Sequence, residues 1–161
     1  MFRFQYSVVT KAQRSLAWEI FSDCSKWNSF ANIYGAISWR EGKPWEAKSR
    51  MEIEILRPVP MLISRVMISC TPAGRVGWID HSGSAVLAQW LMFEDHHEGG
   101  TRLHTWGDLL HSGEKIMGLP AEDVFSHFIK VWYENFRTYC DTLAAGAASA
   151  AYSPLVFAEN L

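Results

Sequence analysis

Two histidine–aspartate pairs occur in segments of this chain that read as strands. In the segment GGTRLHTWGDLL, His104 and Asp108 share one strand parity, while the Leu and Thr residues between them share the other. Facing inward, the two would form a base with a carboxylate neighbour, an arrangement that moves protons. The Leu and Thr residues are the more natural lining of the interior, and this arrangement would place His104 and Asp108 on the solvent-facing side of the sheet. His81 beside Asp80 presents the same ambiguity, and a β-bulge would exchange the faces, so both placements stay open.

Two further polar side chains lie among apolar neighbours. Arg65 alternates with Ile63 and Met67. Facing inward, it would indicate a ligand that carries a carboxylate or phosphate; facing outward, the favoured placement, it would pack its stem on the sheet. Tyr139 falls on an apolar helix face, where its hydroxyl needs a partner from the backbone or a ligand. The candidate catalytic residues are therefore His104, Asp108, Tyr139 and Arg65.

Motifs of several other chemistries are missing from the sequence. GxSxG, GxxxxGK[ST], GxGxxG and HExxH do not occur. Covalent hydrolysis and nucleotide-dependent chemistry are therefore not expected. Cys24, Cys70 and Cys140 are odd in number and lack metal-ligand spacing, which predicts reduced thiols, a cytoplasmic location and no metal or cofactor.

Charge and hydropathy narrow the classes of partner. The 161 residues carry a net charge of −2 without a basic stripe, so a nucleic-acid partner is not expected. The first ten residues alternate in polarity and do not resemble a signal peptide. No apolar run reaches the ~18 residues that a membrane span requires. Apolar residues make up 48% of the sequence and aromatic residues 14%, enough for a large core or an apolar ligand site.

The most strongly patterned element runs from Pro120 to about Leu143. Pro120 suits a first helical position, and the acidic Glu122 and Asp123 suit the first turn. Helical periodicity separates a polar sector from a broad apolar one. The polar sector holds Ser126, His127, Lys130, Glu134, Arg137 and Asp141, and the apolar one holds Phe125, Phe128, Ile129, Trp132, Tyr133, Phe136, Tyr139, Cys140 and Leu143.

The preceding segments read as one strand, two short helices and a run of strands. Alternation predicts a strand at residues 2–8, and Thr10 caps a predicted helix over 11–21, followed by a helical turn at 25–30. Turn residues separate predicted strands at 34–40, 45–56, 61–71, 76–82, 84–94 and 101–110. Residues 111–119 are expected to be a loop. We expect one domain over 1–143 and a flexible tail over 144–161.

This order resembles the helix-grip fold of the START/polyketide-cyclase superfamily, also called SRPBCC. Three local segments are similar to its bacterial polyketide cyclase/dehydrase and lipid-transport branch: FRFQYSVVTKAQRSLAWEIFSD, CSKWNSF with Trp27, and GGTRLHTWGDLL. The resemblance implies an α+β fold, in which a curved antiparallel sheet of six or seven strands wraps around the long C-terminal helix. Two short helices follow the first strand.

The resemblance also implies an apolar cavity between sheet and helix that binds a lipid, polyketide or aromatic molecule. Its expected wall is Met51, Ile53, Val66, Ile68, Leu103, Thr105, Phe125, Phe128, Trp132, Phe136 and Tyr139. The superfamily has no universal catalytic motif, so enzymatic activity is uncertain. One alternative is a cyclase or dehydratase that uses polar cavity residues for proton transfer. Another is a module for a protein partner, including a homodimer.

Overall fold

The computed structural model describes residues 1–111, 113 and 115–146. Seven strands form the main sheet: β1 (Phe2–Thr10), β2 (Tyr34–Glu41), β3 (Arg50–Ile55), β4 (Met61–Cys70), β5 (Arg75–Ser82), β6 (Ala85–Asp95) and β7 (Thr101–Leu110). Two short strands, β8 (Lys115–Ile116) and β9 (Leu119–Pro120), form a separate pair. The helices are α1 (Arg14–Ser22), a 3-10 turn (Cys24–Lys26), α2 (Trp27–Phe30) and α3 (Ala121–Ala144).

The main sheet is antiparallel throughout, in the order β1-β7-β6-β5-β4-β3-β2. Strands β2 to β7 therefore follow one another as a meander, and β1 adds to the β7 edge. The long helix α3 lies across this sheet. This is the helix-grip α+β fold, as predicted.

One half of the interior is filled with aromatic rings. Phe21 of α1 is at the centre, and seven other rings lie with their centroids 5.2 to 6.2 Å from its own: Trp18, Trp27, Trp45, Trp78, Phe93, Trp132 and Phe136. Such pairs add to the stabilisation that comes from burial alone. We call this region the aromatic core.

The helix α3 is fastened to β1 by polar and aromatic contacts. Tyr6 donates a 2.6 Å hydrogen bond to Glu134, and Thr10 donates one of 2.6 Å to Asp141. The backbone N–H of Lys11 also donates to Asp141, at 2.7 Å. Two residues of the predicted polar sector of α3 therefore bind the sheet edge.

The strand predicted over 45–56 begins later, at Arg50. Trp45 and Lys48 have φ angles of 62° and 70°, which a strand does not accommodate. The indole N–H of Trp45 donates a 2.7 Å hydrogen bond to the carbonyl of Ser22. The segment is thus a connection that brings Trp45 into the aromatic core.

The segment predicted as a loop over 111–119 contains β8 and the first of the two residues of β9. Pro120 has ψ of 136° and stands just before α3, which begins at Ala121, so the prediction of Pro120 as the first helical residue is off by one position. Residues 147–161 of the predicted flexible tail lie outside the described residues. Within the described part of the chain, no helix is long and apolar enough to cross a membrane.

Candidate functional site

A cavity of about 340 Å³ lies between α3 and the inner face of the sheet. Its wall comes from β2 to β7, the β3–β4 connection, β8 and the first half of α3. The lining residues are Tyr34, Ile53, Ile55, Pro58, Val59, Met61, Ile63, Arg65, Asp80, Ser82, Ala85, Leu87, Gln89, Leu109, His111, Ile116, Ala121, Val124, Phe125, His127, Phe128 and Ile129.

The choice of side chains explains why this half of the interior is open. Most wall residues are aliphatic, such as Ile53 and Ile63, whereas the aromatic core is filled by indole and phenyl rings. Aliphatic side chains are shorter than these rings, so they leave space beneath α3. An enclosed apolar space with a few polar groups is typical of small-molecule sites.

A buried ion pair marks the inner end of the cavity. Arg65 donates from Nε and Nη2 to the two carboxylate oxygens of Asp80, at 2.7 and 2.8 Å. The side chains are only 11% and 8% exposed. Arg65 also lies over the ring of Trp78, with Cζ 4.3 Å from the ring centroid. Two parallel hydrogen bonds and a π-face hold the guanidinium in one orientation.

The pair with Asp80 keeps Arg65 charged. Burial acts to lower the pKa of Arg65, but the Asp80 carboxylate outweighs it, and the pKa lies above its ordinary value. Asp80 accepts from Nε and Nη2 of Arg65, so Nη1 is not part of this ion pair. The inner end therefore presents a fixed cation whose Nη1 edge lies outside the pair.

Tyrosine and glutamine side chains surround this ion pair. The hydroxyl of Tyr34 accepts a 2.7 Å hydrogen bond from Trp132 Nε1. Gln89 Nε2 donates to the hydroxyls of Thr105 and Tyr133, at 2.8 and 3.2 Å. Burial raises the pKa of Tyr133 to about 12 and raises that of Tyr34 as well. Both phenols are therefore neutral at physiological pH.

A second cavity of about 50 Å³ adjoins the first, since Tyr34, Arg65 and Gln89 line both. Trp78 and Trp132 lie in its wall. The indole Nε1 of Trp78 is buried and has no hydrogen-bond partner within the described part of the chain. An unpaired buried donor destabilises the protein unless a ligand atom accepts from it.

Two histidines lie in the wall at the outer end. Gly113 N–H donates a 3.1 Å hydrogen bond to Nδ1 of His111, and Nε2 of His111 is 3.8 Å from Glu122. Nε2 of His127 is buried and lacks a hydrogen-bond partner among the residues described. The prediction that placed His127 on a polar, solvated sector is therefore wrong, because the cavity lies against that side of α3.

The predicted acid–base pair lies outside the cavity. Nδ1 of His104 is 2.6 Å from the hydroxyl of Ser7, and Asp108 pairs with Arg3 at 3.0 Å, on the outer face of the sheet. Burial and then the charge of Arg102 lower the pKa of His104. The apolar residues of β7 face the interior, and His104 and Asp108 face outward. Neither His104 nor Asp108 can therefore act on a molecule in the cavity.

Arg65 and Tyr139 also depart from their expected environments. Arg65 faces inward with Ile63 and Met67, although the outward placement was favoured; its partner Asp80 lies directly opposite on β5, and this makes burial of the charge possible. Tyr139 is 5% exposed and packs on Phe30 with ring centroids 5.5 Å apart. It belongs to the packed interior, away from the cavity wall.

The predicted wall divides into three groups. Ile53, Phe125 and Phe128 line the main cavity, and Trp132 lines the small one. Five others are buried elsewhere in the interior: Met51, Leu103, Thr105, Phe136 and Tyr139. Val66 and Ile68 lie on the other face of β4 because Arg65 and Met67 take the inner positions, and Ile68 is 41% exposed. The wall assignments of these last two groups were wrong.

Sequence reasoning missed Asp80, Tyr34 and Gln89 as cavity residues. Asp80 follows Val76 and Trp78 at steps of two, and this alternation predicts that it faces inward with them. Gln89 shares parity with Leu91 in the same way. Tyr34 carries no such signal, because its strand has a register shift just after it.

Metal binding and thiol chemistry receive no support from the described residues. No group of three or more His, Cys, Asp or Glu in that part of the chain has the arrangement of a metal site. Burial raises the pKa of Cys24 to about 12, so its thiol is protonated at neutral pH and is a poor nucleophile.

The fold recurs in solved structures of low sequence identity. No protein-family model and no curated protein matches the sequence. The aromatase/cyclase Zhui from Streptomyces sp. R1128 is 12% identical with a TM-score of 0.66, covering 91% of this chain and 99% of that one. The di-domain aromatase/cyclase StfQ of the steffimycin biosynthetic pathway is 8% identical with a TM-score of 0.71, covering 88% of this chain and 46% of that one.

A third similar structure is Ara h 8.0201. It is 9% identical with a TM-score of 0.69, and the alignment covers 86% of this chain and 97% of that one. At such identities the likeness establishes the fold: this chain has the helix-grip architecture that these structures share. Ligand and reaction have to be argued from the cavity itself.

Proposed function

We propose that this protein binds a hydrophobic small molecule, of lipid, polyketide or aromatic type, in the cavity between α3 and the sheet. The observation that carries the proposal is an apolar cavity of about 340 Å³ with one charged, fixed side chain, Arg65, at its inner end. An interior of this size left unfilled loses dispersion contacts along its whole lining. A bound apolar molecule restores them.

Burial of the ligand supplies most of the affinity. Each 100 Å² of apolar ligand surface removed from water contributes about 2.5 kcal/mol, before the loss of translational and rotational freedom is subtracted. The aliphatic wall has few directional groups, so it favours apolar character over a particular shape. The polar inner end then fixes the orientation.

Hydrogen-bond donors dominate that inner end. Nη1 of Arg65 does not take part in the pair with Asp80, and Nε1 of Trp78 is buried without a partner among the described residues. Both donate and neither accepts. A ligand oxygen that only accepts, as in a carbonyl or carboxylate, matches them. Because Asp80 neutralises much of the charge, a neutral carbonyl and an anionic carboxylate both fit this chemistry.

Native mass spectrometry of the purified protein tests the proposal. Spectra under gentle ionisation are compared with an extract of the denatured protein. We expect a bound apolar molecule that leaves on denaturation, or an empty protein that takes up an apolar fluorescent probe with a saturable, one-site curve. An empty protein that also leaves such probes unbound would contradict the proposal.

A second candidate function is cyclase-type catalysis on a polyketide. It is favoured by the convergence of Arg65, Tyr34 and Gln89 on one end of an apolar cavity, and by the likeness to two structures described as aromatase/cyclases. Aldol ring closure places negative charge on a carbonyl oxygen. The Arg65 N–H groups and the Tyr34 O–H are donors of the kind that stabilise such charge.

Binding and catalysis are separated by Tyr34→Phe. This change removes one hydroxyl and keeps the ring. Under the catalytic hypothesis, the rate of ring closure of a poly-β-ketone falls while the Kd of the product stays unchanged. If the protein gives no ring closure above a heat-denatured control, the binding function stands alone.

A further inference from the structure

We infer that the cavity has a second polar region at its outer end, formed by His127 and His111. We infer also that its ligand is an aromatic molecule with a polar group at each end. This molecule carries an acceptor oxygen for the Arg65 end and a hydroxyl for the histidine end. The inference rests on the proposed binding function and specifies its ligand class.

The unpaired nitrogen of His127 is the first observation. His127 lies in the cavity wall, its Nε2 is buried, and no hydrogen-bond partner for that atom exists within the described residues. A buried unsatisfied imidazole nitrogen is uncommon in native structures and calls for an explanation. A ligand hydroxyl that fills the cavity would pair with it.

The tautomer of His111 supplies a matching donor. Its Nδ1 accepts from the Gly113 N–H, so in the neutral imidazole the proton resides on Nε2. The carboxylate of Glu122 is 3.8 Å away, which is beyond hydrogen-bond distance. Within the part of the chain that the structure describes, no hydrogen bond from the Nε2–H of His111 is formed, and this N–H can serve a ligand acceptor.

Strand register gives the separation between the two ends. Arg65 pairs with Asp80, Asp80 with Leu87, and Leu87 with Leu109, so these residues lie in one row across the sheet. His111 follows Leu109 by two residues. The histidine end is therefore displaced about 7 Å along the strand direction and three strands, about 14 Å, across the sheet from Arg65, since each strand residue advances ~3.3 Å and neighbouring strands lie ~4.8 Å apart.

The helix α3 gives a second separation between the two ends, measured along the helix axis. Tyr133 of α3 reaches the inner end through its hydrogen bond from Gln89, and His127 precedes it by six residues. At 1.5 Å per helical residue, the two are separated by about 9 Å along the axis. The wall between these ends is mostly aliphatic, with Leu87, Ile63 and Val124 among its residues.

A hydroxyl is the functional group that satisfies both histidines. It accepts from the Nε2–H of His111 and donates to Nε2 of neutral His127, which imposes Nδ1–H on that ring. A carbonyl accepts but does not donate, so it would satisfy both rings only if each carried its proton on Nε2. A flat, rigid ring system spans the apolar centre without the entropy loss of a flexible chain.

Two naphthoic acids test the inference. In 6-hydroxy-2-naphthoate, a hydroxyl and a carboxylate lie at opposite ends of a rigid two-ring body, and 2-naphthoate lacks only the hydroxyl. We expect the hydroxylated acid to bind about fivefold more tightly, as one added neutral hydrogen bond allows. In His127→Leu this preference should disappear, so that the ratio of the two Kd values approaches one.

His127→Gln is the conservative variant, because its side-chain amide retains a hydrogen-bonding end and should keep part of the preference. Thermal unfolding of each variant verifies that it folds. Equal affinity of the two acids for the wild type, or a preference that persists in His127→Leu, would overturn the two-ended ligand. Failure of both acids to bind the wild type would instead count against the proposed binding function.

Discussion

The two halves of this interior are built from the same sheet and the same helix, yet one is solid and the other hollow. Around Phe21, rings from β5, β6, the β2–β3 connection and the helices α1, α2 and α3 fill most of the space, and Phe136 is 0% exposed. Around Arg65, the same layers carry aliphatic side chains and enclose about 340 Å³. The volume of the side chains between the sheet and α3 therefore decides which half of the interior is packed and stabilises the fold, and which half has space for a ligand.

Polar groups follow the same division. In the aromatic core the indole N–H groups of Trp27 and Trp45 are bonded to backbone carbonyls of Phe21 and Ser22, at 2.8 and 2.7 Å. At the main cavity, His127 Nε2 is buried without a partner among the described residues, and so is Nε1 of Trp78, a ring of the aromatic core that also lines the small cavity. The unpaired groups therefore lie where a side chain faces a cavity, whereas the indoles of Trp27 and Trp45 are paired.

The largest expected effect separates two phenylalanines of α3. Phe136→Ala should lower the free energy of unfolding by about 3–5 kcal/mol, because it leaves a void in a packed region. Phe128→Ala, at the cavity wall, should lower it by about 1–2 kcal/mol, since one side of the ring already faces open space. Urea denaturation of both variants measures the difference. Equal losses would refute the division into solid and hollow halves.

The buried ion pair gives the next effect. Arg65→Met should destabilise the protein by about 3 kcal/mol, because it leaves the buried Asp80 carboxylate without its cation in an apolar wall. The double variant Arg65→Met/Asp80→Leu should recover to within about 1 kcal/mol of wild type. The matched control is Arg40→Met, which breaks an exposed pair with Glu52 at 2.9 Å and should lose less than about 1 kcal/mol.

The recovery of the double variant is the informative result, and denaturant unfolding measures it. If the double variant is as unstable as Arg65→Met alone, the ion pair is needed for the packing of the protein, and a role in ligand binding does not explain its presence in the apolar wall. If it recovers stability but loses affinity for 2-naphthoate, Arg65 serves the ligand.

Filling the cavity should abolish binding with little change in stability. Ile63→Phe adds a ring to the hollow half, which should change the unfolding free energy by less than about 1.5 kcal/mol. The affinity for an anilinonaphthalene sulfonate probe should fall at least about tenfold, or about 1.4 kcal/mol. Leu62→Phe is the control one residue away, on the outer face and 59% exposed, and should leave probe fluorescence unchanged.

The smallest effect concerns the fastening of α3 to β1. Tyr6→Phe removes the hydrogen bond to Glu134 and should cost about 1 kcal/mol at pH 7. Burial acts to raise the pKa of Glu134, but hydrogen bonds from Tyr6 and Arg137 outweigh it, so the pKa is below its ordinary 4.5. This stabilisation is present above that ordinary value and is lost as pH falls through the lower folded pKa.

Urea denaturation at pH 7 and at pH 3 should therefore show a smaller difference between wild type and Tyr6→Phe in acid. Probe binding at pH 7 should be the same in both proteins, because Tyr6 does not line the cavity. A variant that binds the probe differently would show that the fastened side of α3 also shapes the hollow side.

The sequence was sufficient for the fold and for the existence of an apolar cavity. Alternation and turn residues predict each strand of the main sheet, although β3 begins five residues later than predicted, and helical periodicity predicts α3. The division between the two halves was not predictable. Trp132, Phe136 and Tyr139 share the apolar sector of α3 with Phe125 and Phe128, and periodicity does not distinguish a ring that packs from a ring that faces a void.

The polar residues of the site also divide into those whose placement the sequence indicates and those whose placement depends on the three-dimensional structure. Strand parity favoured the outer face for His104 and Asp108 but left their placement open, and it would have put Asp80 inside beside Trp78. Arg65 required knowledge of its partner, since a lone inward arginine is unfavourable and only the β4–β5 register places Asp80 opposite it. The unpaired state of His127 depends on the three-dimensional position of the cavity, which helical periodicity alone assigned to solvent.

Isoleucine methyl NMR tests the hollow half most directly. The wall contains Ile53, Ile63 and Ile129, whereas Ile20 and Ile33 are buried outside it. On titration with 2-naphthoate, the methyl resonances of the wall isoleucines should shift with one common, saturable Kd, and those of Ile20 and Ile33 should stay in place. Unchanged wall resonances, or equal shifts in both groups, would contradict a ligand site between the sheet and α3.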